Sequence, residues 1–298
     1  ADIAGDKIHF LGTGGSDAIL LESGGHFALV DAAEDSEYPA GKGDIALPGY
    51  EAYVLEYVKR VAGDARGRVT LDFVLGTHAH SDHIGGFDTL VLDPDVTVGR
   101  AFLKRYDDAR MLDYEQAWDN RVVYGQMVAA LAARGVPLAQ ELPAQPFALG
   151  NFQVTILNGG YDARLSGDEN DESLGVLLER GGRRAFLAGD INNIGGDENR
   201  LAGQIGKVDL LKAGHHGHNG SSTLPFAAKL LPDTVVFTNG GSAGTDPSVL
   251  FRLIAVGNAR RLVSTGDFGG IVAVFGEGGI EYYAIGDKVE PLPPRAVS

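Results

Sequence analysis

Three imidazoles and a carboxylate lie within six consecutive positions of this 298-residue chain, in His78-Ala79-His80-Ser81-Asp82-His83. The segment directly follows the apolar run at residues 71–75. Crowded imidazoles lose hydration and repel one another when protonated. A divalent metal ion removes both penalties, because zinc and similar ions accept neutral imidazole nitrogen and carboxylate oxygen as ligands. A histidine-rich loop without metal is the alternative, but the pattern favours a metal site where a strand ends.

The spacing within this segment predicts two metal ions. His78 and His80 are two residues apart, so their side chains point the same way in extended backbone. Asp82 and His83 are adjacent and diverge unless the chain turns there. Gly85-Gly86 suits such a bend at the start of a helix. A turn would place the first pair on one ion and the second pair on a neighbouring ion.

A second histidine cluster lies far downstream, at His215, His216 and His218, and the two clusters hold six of the eight histidines. Between them, the apolar run at residues 185–189 ends in Asp190. Taken alone, an aspartate at a strand end is readily explained as a helix cap. In company with two histidine clusters, Asp190 is predicted to bridge the two ions.

These motifs resemble the metallo-β-lactamase superfamily over residues 7–285. The resemblance implies an α/β fold, an αββα sandwich of two packed mixed sheets with helices outside. It also implies two divalent metal ions, with zinc favoured, and Asp82, Asp190 and His215 as the catalytic ligands. Asp31, which ends the run at residues 27–31, matches the family's first motif, and there it would orient a metal-binding histidine.

A closer resemblance is to the catalytic module of pneumococcal phosphorylcholine esterase. It rests on residues 14–23, 25–31 and 205–212, and on Trp118-Asp119-Asn120. The double histidine His215-His216 is shared with that enzyme and with the competence-protein branch of the superfamily.

The chain departs from the broad family in one respect, because it has no histidine from Ile84 to Gly214. Many members supply a further metal histidine in this interval. One ion must therefore take His216, a water or the substrate instead. His215 is favoured as the usual last ligand, and His216 either completes the other ion's shell or holds phosphate.

Strands followed by a helix occur twice along the chain, with the candidate ligands at strand ends in both halves. This order predicts two sheets packed face to face, helices outside, and a site along one edge. The halves, about 1–145 and 146–298, are expected to share one core, so we predict a single domain, 1–298. Residues 113–133 are predicted to form one long helix, and residues 167–173 a solvated acidic loop.

Four residues are predicted to contact substrate: Tyr106, Tyr114, Trp118 and Asp119. Tyr114 and Trp118 are four apart and would share a helix face. Such a face could form an aromatic wall for a quaternary ammonium group, although aromatic residues on a helix also commonly pack into the core.

The net charge of -15 weighs against nucleic acid and anionic membranes as partners, and suits a cationic or zwitterionic substrate. The chain has no cysteine and no apolar run near the ~20 residues that span a bilayer. Its first residue, Ala1, and the resemblance to an exported enzyme favour a secreted or cell-surface protein, with the cytoplasm left open.

The predicted function is a dinuclear metal-dependent hydrolase of phosphodiesters, with phosphocholine esters as the favoured small-molecule substrates. Two ions would share a water, lower its pKa and provide a bridging hydroxide as nucleophile. The alternatives are a hydrolase of the same fold acting on a lactone, β-lactam or thioester, and a non-catalytic binding module.

Overall fold

The computed structural model describes residues 3–35, 48–160 and 167–285. Within these ranges the strands are β1 (Asp6–Leu11), β2 (Ala18–Ser23), β3 (His26–Ala32), β4 (Val69–Leu71), β5 (Phe73–Leu75), β6 (Val96–Val98), β7 (Ala101–Phe102), β8 (Leu138–Ala139), β9 (Phe147–Leu149), β10 (Phe152–Leu157), β11 (Gly175–Arg180), β12 (Arg183–Leu187), β13 (Leu210–Lys212), β14 (Thr234–Phe237), β15 (Arg261–Ser264), β16 (Gly270–Gly276) and β17 (Gly279–Ala284). The α-helices are α1 (Glu51–Ala62), α2 (Ser81–Ile84), α3 (Phe87–Leu92), α4 (Asp113–Gln116), α5 (Asn120–Ala133), α6 (Asp197–Ile205), α7 (Leu224–Leu230), α8 (Pro247–Ala255) and α9 (Thr265–Phe268). No helix in the described ranges is both long and apolar enough to cross a membrane.

Two large mixed sheets organise these strands. The first has the order β17-β16-β1-β2-β3-β5-β7-β8, and the second has the order β15-β14-β13-β12-β11-β10-β9. Strands β12 to β15 are mutually parallel, whereas β9 to β12 pair antiparallel. The turn between β2 and β3 is formed by Gly24 and Gly25, with φ angles of 58° and 83° that glycine adopts without strain. The Gly24-Gly25 pair in the sequence predicts a hairpin turn at this point, and the antiparallel pairing of β2 with β3 confirms it.

Period-two alternation explains how each sheet buries both faces. In β2, Ile19 and Leu21 point into the space between the sheets, and Leu20 points outward. The outward residues pack against α1, where Val54 and Val58 form the buried stripe. The second sheet is covered in the same way by α6, α7 and α8. The resulting order of helices, sheet, sheet and helices confirms the predicted αββα sandwich.

The predicted long helix at residues 113–133 is wrong, because the chain breaks between α4 and α5. Glu115 and Asn120 both turn inward, and Asn120 Nδ2 donates to Glu115 Oε2 at 2.8 Å. In a continuous helix, residues five apart would point about 140° away from each other. The break therefore lets both side chains reach the interior, and it leaves Trp118 outside helical geometry. Tyr114 and Trp118 do not share a helix face, although their ring centroids lie 5.7 Å apart.

The predicted solvated acidic loop at residues 167–173 is also wrong. It contains a 3₁₀ turn in which Glu169 and Glu172 are buried. Glu172 accepts hydrogen bonds from Lys104 at 3.0 Å and Arg110 at 2.9 Å, both of which are buried too. Paired cations that lie far away in the sequence thus compensate the burial of this carboxylate.

The sequence predicts one strand at residues 96–103, but the structure divides this segment between two sheets. Strand β6 pairs with β4 in a separate two-stranded sheet, and β7 lies between β5 and β8 in the first large sheet. At the bend, Gly99 approaches the backbone of Asp72 so closely that a Cβ would lie 2.7 Å from its carbonyl oxygen. The proline-rich residues 291–295, which the sequence predicts to be a surface segment or the stub of a linker, lie outside the described residues.

Candidate metal centre

The first histidine cluster follows β5 and is shaped by the single helical turn α2. His80 stands at the N-terminal cap of this turn in extended conformation, and Ser81–Ile84 are helical. The turn confirms the bend on which the prediction of two ligand pairs depended. It brings Asp82 and His83 into one group of candidate ligands, while His78 and His80 belong to another.

Asp190 lies between these two groups, just beyond the end of β12. Its Oδ1 lies 3.2 Å from His83 Nε2 and 3.4 Å from His216 Nε2. Its Oδ2 lies 3.8 Å from His78 Nε2 and 3.7 Å from His215 Nε2. The two carboxylate oxygens therefore face different histidine groups, which is the arrangement expected of a bridging ligand.

The double histidine occupies a strained turn after β13. His215 and His216 have φ angles of 46° and 52°, so two successive non-glycine residues adopt the left-handed conformation. Such residues cost on the order of 1–3 kcal/mol each and are concentrated at functional sites. The turn sends the two rings to opposite sides of Asp190. His216 faces Asp82 Oδ2 at 3.2 Å, so its geometry favours the role of completing the second ligand group.

Several ring nitrogens of the cluster are fixed by hydrogen bonds on their outer sides. His83 Nδ1 lies 2.8 Å from Asp31 Oδ2, and His216 Nδ1 lies 2.9 Å from the carbonyl oxygen of Thr238. Both Nε2 atoms are thereby directed inward. These Nε2 atoms and Asp190 Oδ1 are buried, and they have no hydrogen-bond partner among the described residues.

Two sets of donor atoms converge closely enough to hold cations. Asp82, His83, Asp190 and His216 form one set, and His78, His80 and Asp190 form the other, with the atoms of each set within 4.8 Å of one another. The donors are imidazole nitrogen and carboxylate oxygen, and the inward atoms of His83, His216 and Asp190 Oδ1 have no hydrogen-bond partner among the described residues. The residues present therefore fit a pair of divalent metal ions.

The electrostatics of the cluster agree with a site for cations. Burial raises the pKa of Asp190, but the facing rings of His216, His83 and His215 hold it well below its usual range. Burial and the neighbouring His83 and His80 rings lower the pKa of His78 well below its ordinary value. The carboxylate is thus kept ionised and His78 neutral, which are the forms that bind metal. Burial lowers the pKa of His83 and His216, but the charge of Asp190 outweighs this effect and raises both well above the ordinary value, so metal binding would displace a proton from each of these rings.

Glu115 belongs to the site and was not predicted from the sequence. Its Oε2 lies 2.9 Å from His80 Nε2, and His80 Nδ1 is directed inward, 3.1 Å from His78 Nε2. Burial lowers the pKa of His80, but the hydrogen bond and charge of Glu115 outweigh this effect and raise it. No spacing signal connects residues 35 positions apart, so only the fold reveals the pair.

A cavity of about 380 Å³ opens beside the cluster. Tyr114, Trp118 and Asp119, predicted to contact substrate, line it together with Asp82, Asp190 and His215. Trp118 is 46% exposed, so the alternative that it packs in the core is wrong. Tyr106 does not line this cavity: its ring packs on Tyr124 and its hydroxyl donates to Asp108 at 2.7 Å.

Comparisons with known proteins agree with this architecture. Residues 46–226 match the family model described as the beta-lactamase superfamily domain. A 179-residue segment is 27% identical to ComE operon protein 3 of Bacillus subtilis, covering 59% of this chain and 21% of that protein. The chain therefore spans about a fifth of the length of this relative.

Among solved structures, the metallo-beta-lactamase fold protein YhfI of Bacillus subtilis matches with a TM-score of 0.52 and 16% identity, over 88% of this chain and 97% of that one. CmlA, a diiron beta-hydroxylase from Streptomyces venezuelae, matches with a TM-score of 0.45 and 17% identity, over 86% of this chain and 50% of that one.

Proposed function

Because the chain belongs to the β-lactamase superfamily, we propose that it is a dinuclear metal-dependent hydrolase of phosphodiesters and that phosphocholine esters are its substrates. The observation that carries this proposal is the position of Asp190, whose two oxygens face two separate histidine groups beside an open cavity. Zinc is the favoured metal for a donor set of imidazoles and carboxylates.

Seven residues would hold the two ions. His78, His80 and His215 lie on the Oδ2 side of Asp190, and Asp82, His83 and His216 lie on the Oδ1 side. When bound, the ions supply an activated water as nucleophile and neutralise charge on the phosphate oxygens. Asp31 and the Thr238 carbonyl oxygen hold the His83 and His216 rings with Nε2 inward, so that little reorientation is needed on binding.

The cavity wall supports binding of a cationic headgroup on the substrate. Tyr114 and Trp118 present exposed aromatic surface, and the carboxylates of Asp119 and Asp168 lie on the same wall. Burial and the nearby Asp35 raise the pKa of Asp119 to about 6, so it still carries negative charge at neutral pH. A quaternary ammonium could gain roughly 0.5–2 kcal/mol from contact with these rings.

The overall charge supports the same substrate class. A net charge of -15 disfavours nucleic acid and favours a ligand with a cationic end. Secretion or attachment at the cell surface stays a prediction from resemblance, which fractionation of cells that express the gene would test.

The deciding experiment compares four substrates at equal concentration: p-nitrophenylphosphorylcholine, bis-p-nitrophenyl phosphate, a chromogenic β-lactam and a single-stranded oligonucleotide. We expect the phosphocholine ester to be cleaved with the highest kcat/KM, and EDTA to abolish cleavage. Preferential cleavage of the β-lactam or the oligonucleotide would replace the proposed substrate class. No cleavage of any substrate by metal-loaded protein would favour the binding module.

A further inference from the structure

A second cavity, of about 310 Å³, lies on the second sheet away from the metal centre. It is lined by Arg183, Asp209, Asp233, Thr234, Arg260, Arg261, Ile280 and Tyr282. Most of these residues stand at or just before the first residue of β12, β13, β14 or β15. Because these four strands are parallel, their N-terminal ends lie together at one end of the sheet. The metal centre lies beyond their C-terminal ends. Arg183 and Asp190 are thus separated by roughly 20 Å along one strand direction.

Two arginines of this cavity have a positive charge that no described carboxylate pairs with. Neither the Arg260 nor the Arg261 guanidinium has a hydrogen bond or ion pair to another described residue. Arg261 stacks on the buried Tyr282 ring, with its Cζ 4.8 Å from the centroid, and its Nε is buried without a partner in the described part of the chain. The backbone positions both residues, since the Asp233 carbonyl oxygen accepts from Arg260 N at 2.9 Å and Arg261 N at 3.1 Å.

The two carboxylates of the cavity pair with Lys207, and with Arg183 inside the cavity itself. Asp233 pairs with Lys207 at 3.6 Å. Asp209 Oδ2 accepts from the backbone N–H of Arg184 at 2.8 Å, and its Oδ1 reaches Arg183 only at 3.5 Å. Arg260 and Arg261 therefore lack a carboxylate partner among the described residues, in a chain with 40 acidic and 25 basic residues. Like charges held together in this way are stabilised by a bound anion.

We propose that this cavity binds a small molecule through its phosphate or carboxylate group. The planar guanidinium matches both oxyanions through paired N–H donors, and the half-buried position of Arg261 strengthens such bonds. The volume accommodates the oxyanion with a modest substituent, for which Tyr282 and Ile280 supply an apolar surface. The site is independent of the proposed hydrolase activity, because none of its residues contacts the metal ligands.

The proposal is tested by isothermal titration with inorganic phosphate and, separately, acetate, at an ionic strength held constant with sodium chloride. We expect Arg260→Gln and Arg261→Gln each to weaken binding of the preferred oxyanion by about tenfold or more. Arg260→Gln is the decisive variant, because this exposed side chain makes no hydrogen bond or ion pair within the described ranges whose loss could destabilise the fold. The preference between phosphate and acetate identifies the oxyanion.

Arg121→Gln is the matched control, since Arg121 is 79% exposed and pairs with Asp108 elsewhere on the surface. It should bind like the wild type. Phosphate held at the metal centre would be insensitive to Arg260→Gln, so the variant separates the two sites. The proposal is overturned if both cavity variants bind as tightly as the wild type, or if neither oxyanion binds better than chloride.

Discussion

At the scale of single residues, the site depends on which atom of each side chain faces inward. An imidazole can present Nδ1 or Nε2, and its outer hydrogen bond decides between them. His83 and His216 are held by Nδ1 and direct Nε2 inward, whereas His80 is held by Nε2 and directs Nδ1 inward. Asp190 then separates the two groups by facing each with a different oxygen.

Removing the Asp190 carboxylate, which lies between the two histidine groups, should weaken metal binding by both groups. We expect Asp190→Ala to lower metal content from about two ions per chain to less than one, with activity reduced more than about 100-fold. Mass spectrometry of the purified variant measures the metal content directly. Asp72→Asn, which changes an exposed carboxylate paired with His26, should leave metal content and activity unchanged. Full occupancy in Asp190→Ala would exclude the bridging assignment.

Glu115 is predicted to be a positioning residue for His80. Glu115→Gln should weaken metal binding by about 10- to 100-fold, because the amide polarises the ring less than the carboxylate does. Competition with a chromophoric chelator measures this affinity, and the melting temperature of the metal-free variant should stay close to that of the wild type. Asp113→Asn, on an exposed position of the same helix, is the control. Unchanged affinity in Glu115→Gln would leave this carboxylate with a structural role alone.

At the scale of elements, the break between α4 and α5 has two effects on the site. It turns Glu115 inward to His80, and it leaves Trp118 beside the cavity, with its ring centroid 5.3 Å from that of His80. The inward turn of Glu115 and Asn120, which are five positions apart, requires this break. The same local geometry that orients a candidate ligand therefore also builds the aromatic wall.

The aromatic wall formed by Tyr114 and Trp118 should strengthen binding of the substrate headgroup. We expect Trp118→Ala to raise KM for p-nitrophenylphosphorylcholine by about 2- to 30-fold, the range that a cation–π contact supports. For bis-p-nitrophenyl phosphate, which has no ammonium group, KM should change much less. Since Trp118 is 46% exposed, the melting temperature should fall little. Val122→Ala, at an exposed position of α5, is the control, and equal losses on both substrates would argue against a headgroup site.

At the scale of the whole molecule, the interior between the two sheets joins the two halves of the chain. Phe152 of β10 and Phe275 of β16 meet edge to face across this interior, with ring centroids 5.2 Å apart. Strands β16 and β17 come from the second half of the chain yet complete the first sheet beside β1. We therefore propose that the halves form a single domain.

A single domain should unfold in one cooperative step. Circular dichroism and the fluorescence of the sole tryptophan, Trp118, should give coincident thermal transitions. Phe275→Ala should lower the free energy of unfolding by about 3–5 kcal/mol without splitting the transition. Phe251→Ala, whose side chain is 66% exposed, should have little effect. Two resolved transitions would show that the halves fold separately.

The sequence alone determined the parts of the fold that depend on local pattern. Residues 78–83 and 215–218, with Asp190 at a strand end, carried the family resemblance that implied the αββα sandwich. Their spacing also predicted two groups of ligands, because ligand chemistry and strand periodicity are both local properties. For the same reason, the sequence pattern predicts strands at residues 261–264, 271–275 and 280–284, within one residue of the bounds of β15, β16 and β17.

Only the tertiary structure decided the features that depend on distant partners. The helix break follows from Glu115 reaching His80, and the burial of Glu172 follows from Lys104 and Arg110. His215 and His216 face opposite sides of Asp190. This arrangement depends on a turn in left-handed backbone conformation, which neither residue favours. In each case a pairing across the fold outweighs the local preference of the chain, and that preference is all a single sequence expresses.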